Sequence, residues 1–135
     1  MRKLKLFLTV VGLLFLVACG EKTFNEQHKE YLLNKGWEIK ESIEVETYTL
    51  EIPDEMLLNY EASRITFLRE HLGETVTKYS YTLKEKDIEG ERLKASIFEV
   101  DGEIIGGYGA LPSWTPGRFN LDEKERLINE QMIKQ

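Results

Sequence analysis

The sequence predicts an α+β fold, in which a small antiparallel sheet of about four strands packs against a main helix, with N-terminal and C-terminal helices. Three observations predict this class. Apolar residues recur at helical spacing near residues 26–35, 53–73 and 121–135. Segments rich in β-branched and aromatic residues lie between these helical segments. An Asp101-Gly102 pair joins two of the predicted strands, and strands this close in sequence pair antiparallel.

Residues 1–18 have the pattern of a bacterial signal peptide. The first five residues carry three basic side chains, and the next 13, Leu6 to Ala18, carry no charge. This apolar run is shorter than the roughly 20 residues that a helix needs to cross a bilayer. The pattern therefore predicts a signal peptide rather than a transmembrane anchor.

The apolar run ends at the only cysteine of the chain, Cys19, in a motif that resembles the bacterial lipobox. An aliphatic residue stands three positions before the cysteine and a small residue directly before it; the three preceding positions are Leu16, Val17 and Ala18. The resemblance implies that a dedicated peptidase recognises these residues and that a diacylglycerol is attached to the Cys19 sulfur. Two acyl chains are sufficient for stable membrane anchoring. We therefore expect a lipid-anchored protein on the outer side of the cell membrane.

The remaining chain is strongly acidic. Removal of residues 1–18 leaves 15 Lys and Arg residues against 24 Asp and Glu residues, a formal charge of −9. Nucleic-acid affinity depends on cations that neutralise phosphates, so nucleic-acid binding is not expected. Residues 19–23 are predicted to form the lipidated cysteine and a short linker, and residues 24–135 a single α+β domain.

The first predicted helix spans about residues 26–35. Asn25 is a suitable N-cap, and Gly36 is suitable for the left-handed position that ends a helix. The next segment, residues 42–52, is rich in β-branched and aromatic residues and predicts a strand. Its apolar positions change parity near Glu46 and Thr47, which predicts a bulge or a twist there.

The main helix is predicted to begin after Pro53 and to end at Gly73. Acidic residues in its first turn interact favourably with the positive end of the helix dipole. The apolar residues of this segment form a stripe at helical spacing, namely Leu57, Leu58, Ala62, Ile65, Leu68 and Leu72.

The second half of the chain predicts three strands and a helix. Residues 75–83 alternate with a period of two, residues 92–100 are a second strand, and residues 103–111 follow the Asp101-Gly102 turn. Glycines in the last strand predict a bulge or a close approach of another group. Residues 111–120 contain two prolines and a glycine and predict a loop. A terminal helix follows, with Asn120 and Glu123 at capping-box spacing.

With these elements assigned, the domain resembles the family catalogued as domain of unknown function 4830, which occurs in Gram-positive bacteria. Three segments carry the resemblance: YLLNKGWEI at residues 31–39, IPDEMLLNYE at 52–61 and LKASIFEVDGEIIGG at 93–107. The resemblance implies a small extracytoplasmic domain and transfers no catalytic residue.

The sequence contains no pattern that indicates a catalytic site, a metal site or a cofactor. The only histidines, His28 and His71, lie in separate predicted helices, so we expect ordinary surface or boundary positions for them. The acidic residues between 41 and 55 lack the spacing of a calcium loop. The serines lack the context of an activated nucleophile.

The segment 106–119 is the best candidate for a contact surface, because it holds residue types that are enriched in binding hot spots: Tyr108, Trp114, Arg118 and Phe119. The alternative is that Trp114 and Phe119 fold back to cap the end of the sheet. Binding through this segment requires an exposed apolar patch around these two aromatic residues.

The function predicted from the sequence is a non-catalytic binding or interaction module at the cell envelope, anchored to the membrane by lipid. Its partner would be another envelope protein, a peptide, or a cationic ligand attracted by the acidic surface. Two alternatives remain open, an envelope enzyme that uses an unrecognised carboxylate pair and an inhibitory or structural module. The enzyme requires a deep pocket lined by buried carboxylates with raised pKa values.

Overall fold

The structure of the protein is a computed structural model, and it describes residues 25–134. The predicted signal peptide, with Leu16, Val17 and Ala18, lies outside the described residues. Cys19 and the predicted linker also lie outside them.

The described part of the chain begins with a helix, a strand and a second helix, continues through four strands and ends with a third helix. The helices are α1 (Glu26–Leu33), α2 (Asp54–Ala62) and α3 (Lys124–Asn129). The strands are β1 (Ile39–Thr49), β2 (Thr75–Lys86), β3 (Arg92–Val100), β4 (Glu103–Ala110) and β5 (Arg118–Phe119). Short 3₁₀ helices occur at Arg69–His71 and Leu121–Glu123.

The five strands form one sheet in the order β1-β2-β3-β4-β5, and each neighbouring pair is antiparallel. The α+β class is therefore confirmed. The sheet has one strand more than the predicted four, because Arg118 and Phe119 pair with Ala110 and Gly109. The prolines and the glycine before β5 predict a loop, so the sequence pattern does not indicate this short strand.

Apolar side chains form two separate buried clusters, and successive strand residues contribute to different clusters because side chains alternate across a sheet. Tyr81 and Ile97 belong to the first cluster, whereas Val76 and Phe98 belong to the second. From outside the long strands, the first cluster takes Leu32, Trp37, Leu111, Phe119, Leu121, Leu127 and Ile133. The second takes Leu50, Leu57, Tyr60, Ile65 and Leu68.

The main helix is shorter than the sequence predicts. It ends at Ala62, and Arg64 has a left-handed backbone with φ of 63°. The backbone N–H of Ile65 donates to the Tyr60 carbonyl at 3.0 Å, which closes the helix end. The prediction of a continuous helix to residue 73 is wrong. The predicted stripe is also wrong for Leu58 and Leu72, which are 53 % and 39 % exposed.

Strand β1 forms one edge of the sheet and is exposed along most of its length. Its register with β2 shifts between Ile39 and Glu41 and again between Ser42 and Glu44. The predicted bulge near Glu46 and Thr47 is wrong, because that part of the ladder is regular. The parity changes because β1 has apolar residues on both faces: Val45 lies opposite Tyr79, beside the first cluster, and Tyr48 lies opposite Val76, in the second.

The β3–β4 hairpin is confirmed. Asp101 and Gly102 both have positive φ, 52° and 80°, as a two-residue type I′ turn requires. Further along β4, the phenyl ring of Phe119 lies directly over Gly109, where a β-carbon would stand 2.1 Å from Cζ of the ring. The close approach predicted from the glycines therefore occurs, and it seats the Phe119 ring in the first cluster.

The two helices nearest the chain ends are also shorter than their sequence patterns. In α1, the Asn25 side chain accepts the N–H groups of residues 27 and 28, and the helix ends at Leu33 rather than at residue 35. The C-terminal helical segment ends at Asn129. Beyond it, Gln131 has a φ of 58°, and Ile133 forms a β-bridge with Asp87.

Candidate binding surface at Arg118

The four contact residues predicted from the sequence lie in different environments. Phe119 and Tyr108 are buried, with 1 % and 8 % of their surface exposed. Trp114 is partly buried and packs against the first cluster, and Arg118 is half-buried. Phe119 therefore does not contribute to an exposed apolar patch. Of these four side chains, that of Arg118 borders solvent-filled hollows on the surface.

Arg118 is held against the sheet by an aromatic ring. Its guanidinium carbon lies 4.2 Å from the centroid of the Tyr60 ring, a cation–π contact. Tyr60 in turn packs on Tyr108, with ring centroids 5.5 Å apart. Burial raises the pKa of Tyr60 to about 12, and the hydrogen bond with Tyr108 adds to this rise. Tyr60 is therefore uncharged at neutral pH and offers its π face to the cation.

Two hollows meet at Arg118. The first, which we call the arginine hollow, has a volume of about 310 Å³ and is lined by Ala62, Ser63, Arg64, Arg118, Glu123 and Arg126. The second has a volume of about 630 Å³ and is lined by Pro53, Glu55, Met56, Asn59 and Arg118. Each arginine of the first hollow comes from a different segment: the turn after α2, strand β5, and α3.

The position of Arg64 depends on a long-range contact. Its left-handed backbone costs about 1 kcal/mol or more for a residue other than glycine. The Asn120 side chain donates from Nδ2 to the Arg64 carbonyl oxygen at 2.7 Å. This bond ties the turn after α2 to the residue that precedes the C-terminal helical segment, and so brings two arginine-bearing segments together.

Glu123 is the carboxylate within the arginine hollow. Its oxygens lie 3.3 Å from Nη1 of Arg64, and 3.3 and 3.2 Å from Nε and Nη2 of Arg126. Arg126 also donates to Glu130 at 2.9 Å. The hydrogen bond to Glu123 is the main cause that raises the pKa of Arg126 above its ordinary value. The lining thus holds three cations against one anion, in a chain that is acidic as a whole.

A buried polar cluster lies elsewhere, between α1 and the sheet, and the sequence analysis missed it. It joins the imidazole of His28 to three groups of β2 and β3. Nδ1 of His28 is 2.6 Å from the Tyr81 hydroxyl, Nε2 contacts the Glu99 carboxylate, and the Tyr79 ring packs edge-on at 4.4 Å. His28 is fully buried, so the expectation of a surface or boundary position is wrong.

The tyrosines of this cluster stay protonated over a wide pH range. Burial raises the pKa of Tyr81 well above its ordinary value, and the nearby Tyr79 and Glu99 groups add to the rise. Burial and the Glu99 charge likewise raise the pKa of Tyr79. The signal in the sequence was the position of Glu99, which shares its parity in β3 with Leu93 and Ile97 and so lies on the face that they bury. A buried carboxylate requires a donor.

Residues 25–134 hold neither a metal-ligand group nor a membrane-spanning helix. These residues contain no group of three or more histidine, cysteine, aspartate or glutamate side chains placed to hold a metal ion. No helix among them has both the length and the apolar character needed to cross a membrane.

Comparisons with known proteins extend this picture no further. The chain matches no family model, no curated protein and no solved structure. The resemblance to domain of unknown function 4830 therefore stays a prediction, and the geometry described above is the basis for a functional proposal.

Proposed function

We propose that the protein is a lipid-anchored binding module of the bacterial cell envelope, with no catalytic activity of its own. Lipidation at Cys19 tethers the domain to the outer side of the membrane. The domain then binds a protein or peptide partner there. The α+β architecture includes, in this proposal, a main helix that covers one face of the sheet and helices at both ends of the domain.

The sequence around Cys19 supports the tether. A basic start, an uncharged run of 13 residues, and small and aliphatic residues before the cysteine together have the order that lipid attachment requires. The acidic domain beyond it, with a formal charge of −9, is repelled by anionic headgroups. The lipid rather than the domain surface would hold the protein at the membrane.

The observation that carries the binding proposal is the pair of hollows that meet at Arg118. Arginine is among the residues that contribute most to binding energy, and stacking on Tyr60 holds its guanidinium in place before a partner arrives. The hollows have volumes within the range of known ligand sites.

The enzyme alternative requires a different lining. A carboxylate pair for catalysis would face a deep pocket and have raised pKa values. Arg64, Arg118 and Arg126 line the first hollow at Arg118, which favours recognition of a negatively charged group rather than proton transfer.

The tether is tested by metabolic labelling with radioactive palmitate. Label is expected in the wild-type protein and not in a Cys19→Ala variant, and the variant should leave the membrane fraction. Labelling of both forms, or of neither, would contradict the tether.

The binding role is tested by affinity capture of envelope proteins with the lipidated chain. The wild type is compared with Arg118→Gln and Trp114→Ala, and Arg92→Gln serves as a control with the same charge change, because Arg92 lies at the start of β3 and lines neither hollow. The proposal is supported if Arg118→Gln fails to capture a partner that both the wild type and Arg92→Gln capture. Equal recovery of every partner by all four forms would count against this surface.

A further inference from the structure

The arginine hollow has the chemistry of an anion site. Three guanidinium groups from segments far apart in sequence converge on one opening, at Arg64, Arg118 and Arg126. Guanidinium groups offer paired N–H donors in a plane, which match the two oxygens of a carboxylate or phosphate group. Two carboxylates, Glu123 and Glu130, pair directly with these groups, so the three guanidinium groups keep one positive charge in excess within a chain whose formal charge is −6.

Glu123 already occupies part of this site, and its side chain is 13 % exposed. Its contacts with Arg64 and Arg126 measure 3.2 to 3.3 Å. Charge-assisted hydrogen bonds are ordinarily about 2.7–2.9 Å long. By comparison, Arg126 meets Glu130 at 2.9 Å. Glu123 therefore shows that this site accepts a carboxylate, and an external carboxylate would compete with Glu123 for the same donors.

Among the three arginines of the arginine hollow, Arg118 has no carboxylate partner within residues 25–134. Its guanidinium is fixed by the Tyr60 ring, and no carboxylate within residues 25–134 lies inside 4.0 Å of it. A guanidinium that stacks through its face keeps the N–H groups along its edge available to donate to a ligand. Arg118 also borders both hollows, so a ligand bound at its edge reaches into the second one.

The second hollow selects the kind of anion. Pro53 and Met56 give it an apolar wall, and Met56 is 43 % exposed. The carboxylate of Glu55 borders it and disfavours a multiply charged group. A phosphate monoester carries a charge of about −1.5 to −2, whereas a carboxylate carries only one unit. The setting thus favours a carboxylate attached to an apolar side chain.

We propose that the arginine hollow binds the C-terminal carboxylate of a peptide or protein, and that the last apolar side chain of this partner lies against Pro53 and Met56. Arg118 and Arg64 hold the carboxylate, and Glu123 moves aside. This inference rests on the proposed binding function and specifies its ligand.

The test is isothermal titration calorimetry of the full chain in mild detergent with three probes. These are acetyl-alanyl-alanyl-leucine with a free carboxylate, the same peptide with an amidated C terminus, and inorganic phosphate. The protein forms are wild type, Arg118→Gln, Glu123→Gln and the control Arg92→Gln. Circular dichroism and the thermal midpoint of each form show whether it is folded.

The free-acid peptide is expected to bind, and the amide is expected to bind at least tenfold more weakly because it lacks the charge. Arg118→Gln should weaken binding of the acid about tenfold or more. Glu123→Gln should strengthen it severalfold, since the competing internal anion is lost. Arg92→Gln should leave it unchanged.

Four results would overturn the inference: no binding of the acid, equal binding of acid and amide, tighter binding of phosphate than of the peptide, or no difference between Arg118→Gln and Arg92→Gln. The opposite signs expected for Arg118→Gln and Glu123→Gln separate a ligand site from a general effect on folding. If the peptide does not bind but envelope capture still depends on Arg118, the carboxylate ligand is refuted and the proposed binding function stands. Failure of palmitate labelling or of capture is a separate result, because neither uses these probes.

Discussion

Replacement of His28 by leucine tests whether the buried polar cluster stabilises the fold. The change places an apolar side chain and a strong helix former at a fully buried position in α1. It removes the donor to the Glu99 carboxylate and the partner of the Tyr81 hydroxyl. Glu99 has a side chain that is only 8 % exposed, so water does not fully replace the lost contact.

The expected cost follows from these contacts. Removal of the donor to a buried carboxylate leaves that carboxylate without its partner, which costs about 3–5 kcal/mol. Tyr79 still lies beside Glu99 and supports it, so we expect the lower end, about 3 kcal/mol. With a urea m value of about 1.5 kcal/mol per molar, the midpoint of unfolding should fall by about 2 M. A His28→Leu/Glu99→Leu double variant should recover most of this loss, because no buried charge remains unpaired.

The matched control is His71→Leu. His71 also pairs with a glutamate, Glu74 at 2.8 Å, but the Glu74 side chain is 45 % exposed. Surface pairs contribute about 0–1 kcal/mol, so this change should shift the midpoint little. The assay is urea unfolding followed by fluorescence of the buried Trp37, whose indole N–H donates to the Leu121 carbonyl. Equal midpoints for the two single variants would refute the assignment of a stabilising role to the cluster.

Three further outcomes test other parts of the structure. Gly109→Ala should cost about 1–3 kcal/mol, since the new methyl group meets the Phe119 ring, and much less in a Phe119→Ala background; equal costs in both would contradict this contact. Burial acts to raise the pKa of Asp87, but hydrogen bonds to its carboxylate from the backbone of Glu91, from Ser113 and from the backbone of Glu89 together lower the pKa below its ordinary value. The stability that Asp87 adds relative to Asp87→Asn should therefore be complete above the ordinary pKa and shrink as pH falls below about 4 in urea titrations; a pH-independent difference would exclude this. Folding raises the pKa of Tyr60 from about 10 to about 12. The protonated hydroxyl therefore adds its full contribution to folding stability below pH of about 10, and this contribution is lost as the pH rises toward 12. Ultraviolet titration of tyrosinate should lose a late component in Tyr60→Phe, and an unchanged curve would be inconsistent with the buried hydroxyl.

Local sequence rules predict the elements whose causes are local. The two turn residues Asp101 and Gly102 specify the β3–β4 hairpin, because few other pairs adopt positive φ twice in succession. Strand β3 spans Arg92–Val100, the segment that the sequence predicts. The glycines of β4 signal a close approach, although they do not identify Phe119 as the group that approaches.

Contacts between distant segments produce the features that the sequence does not reveal. Helix α2 stops at Ala62 although apolar spacing continues, because burial of Ile65 and Leu68 and the bond from Asn120 favour a turn at Arg64. The short strand β5 exists because Phe119 fits over Gly109.

The two functional candidates also depend on tertiary structure. His28 and Glu99 stand 71 residues apart, and Arg64 and Arg118 come from separate segments, so no spacing rule links either pair. The residues near Cys19 are the reverse case, since a signal peptide and lipobox are read as a linear pattern of charge, length and small side chains. Membrane attachment is therefore a prediction from the linear sequence, whereas the arginine hollow exists only after the sheet and its flanking segments have assembled.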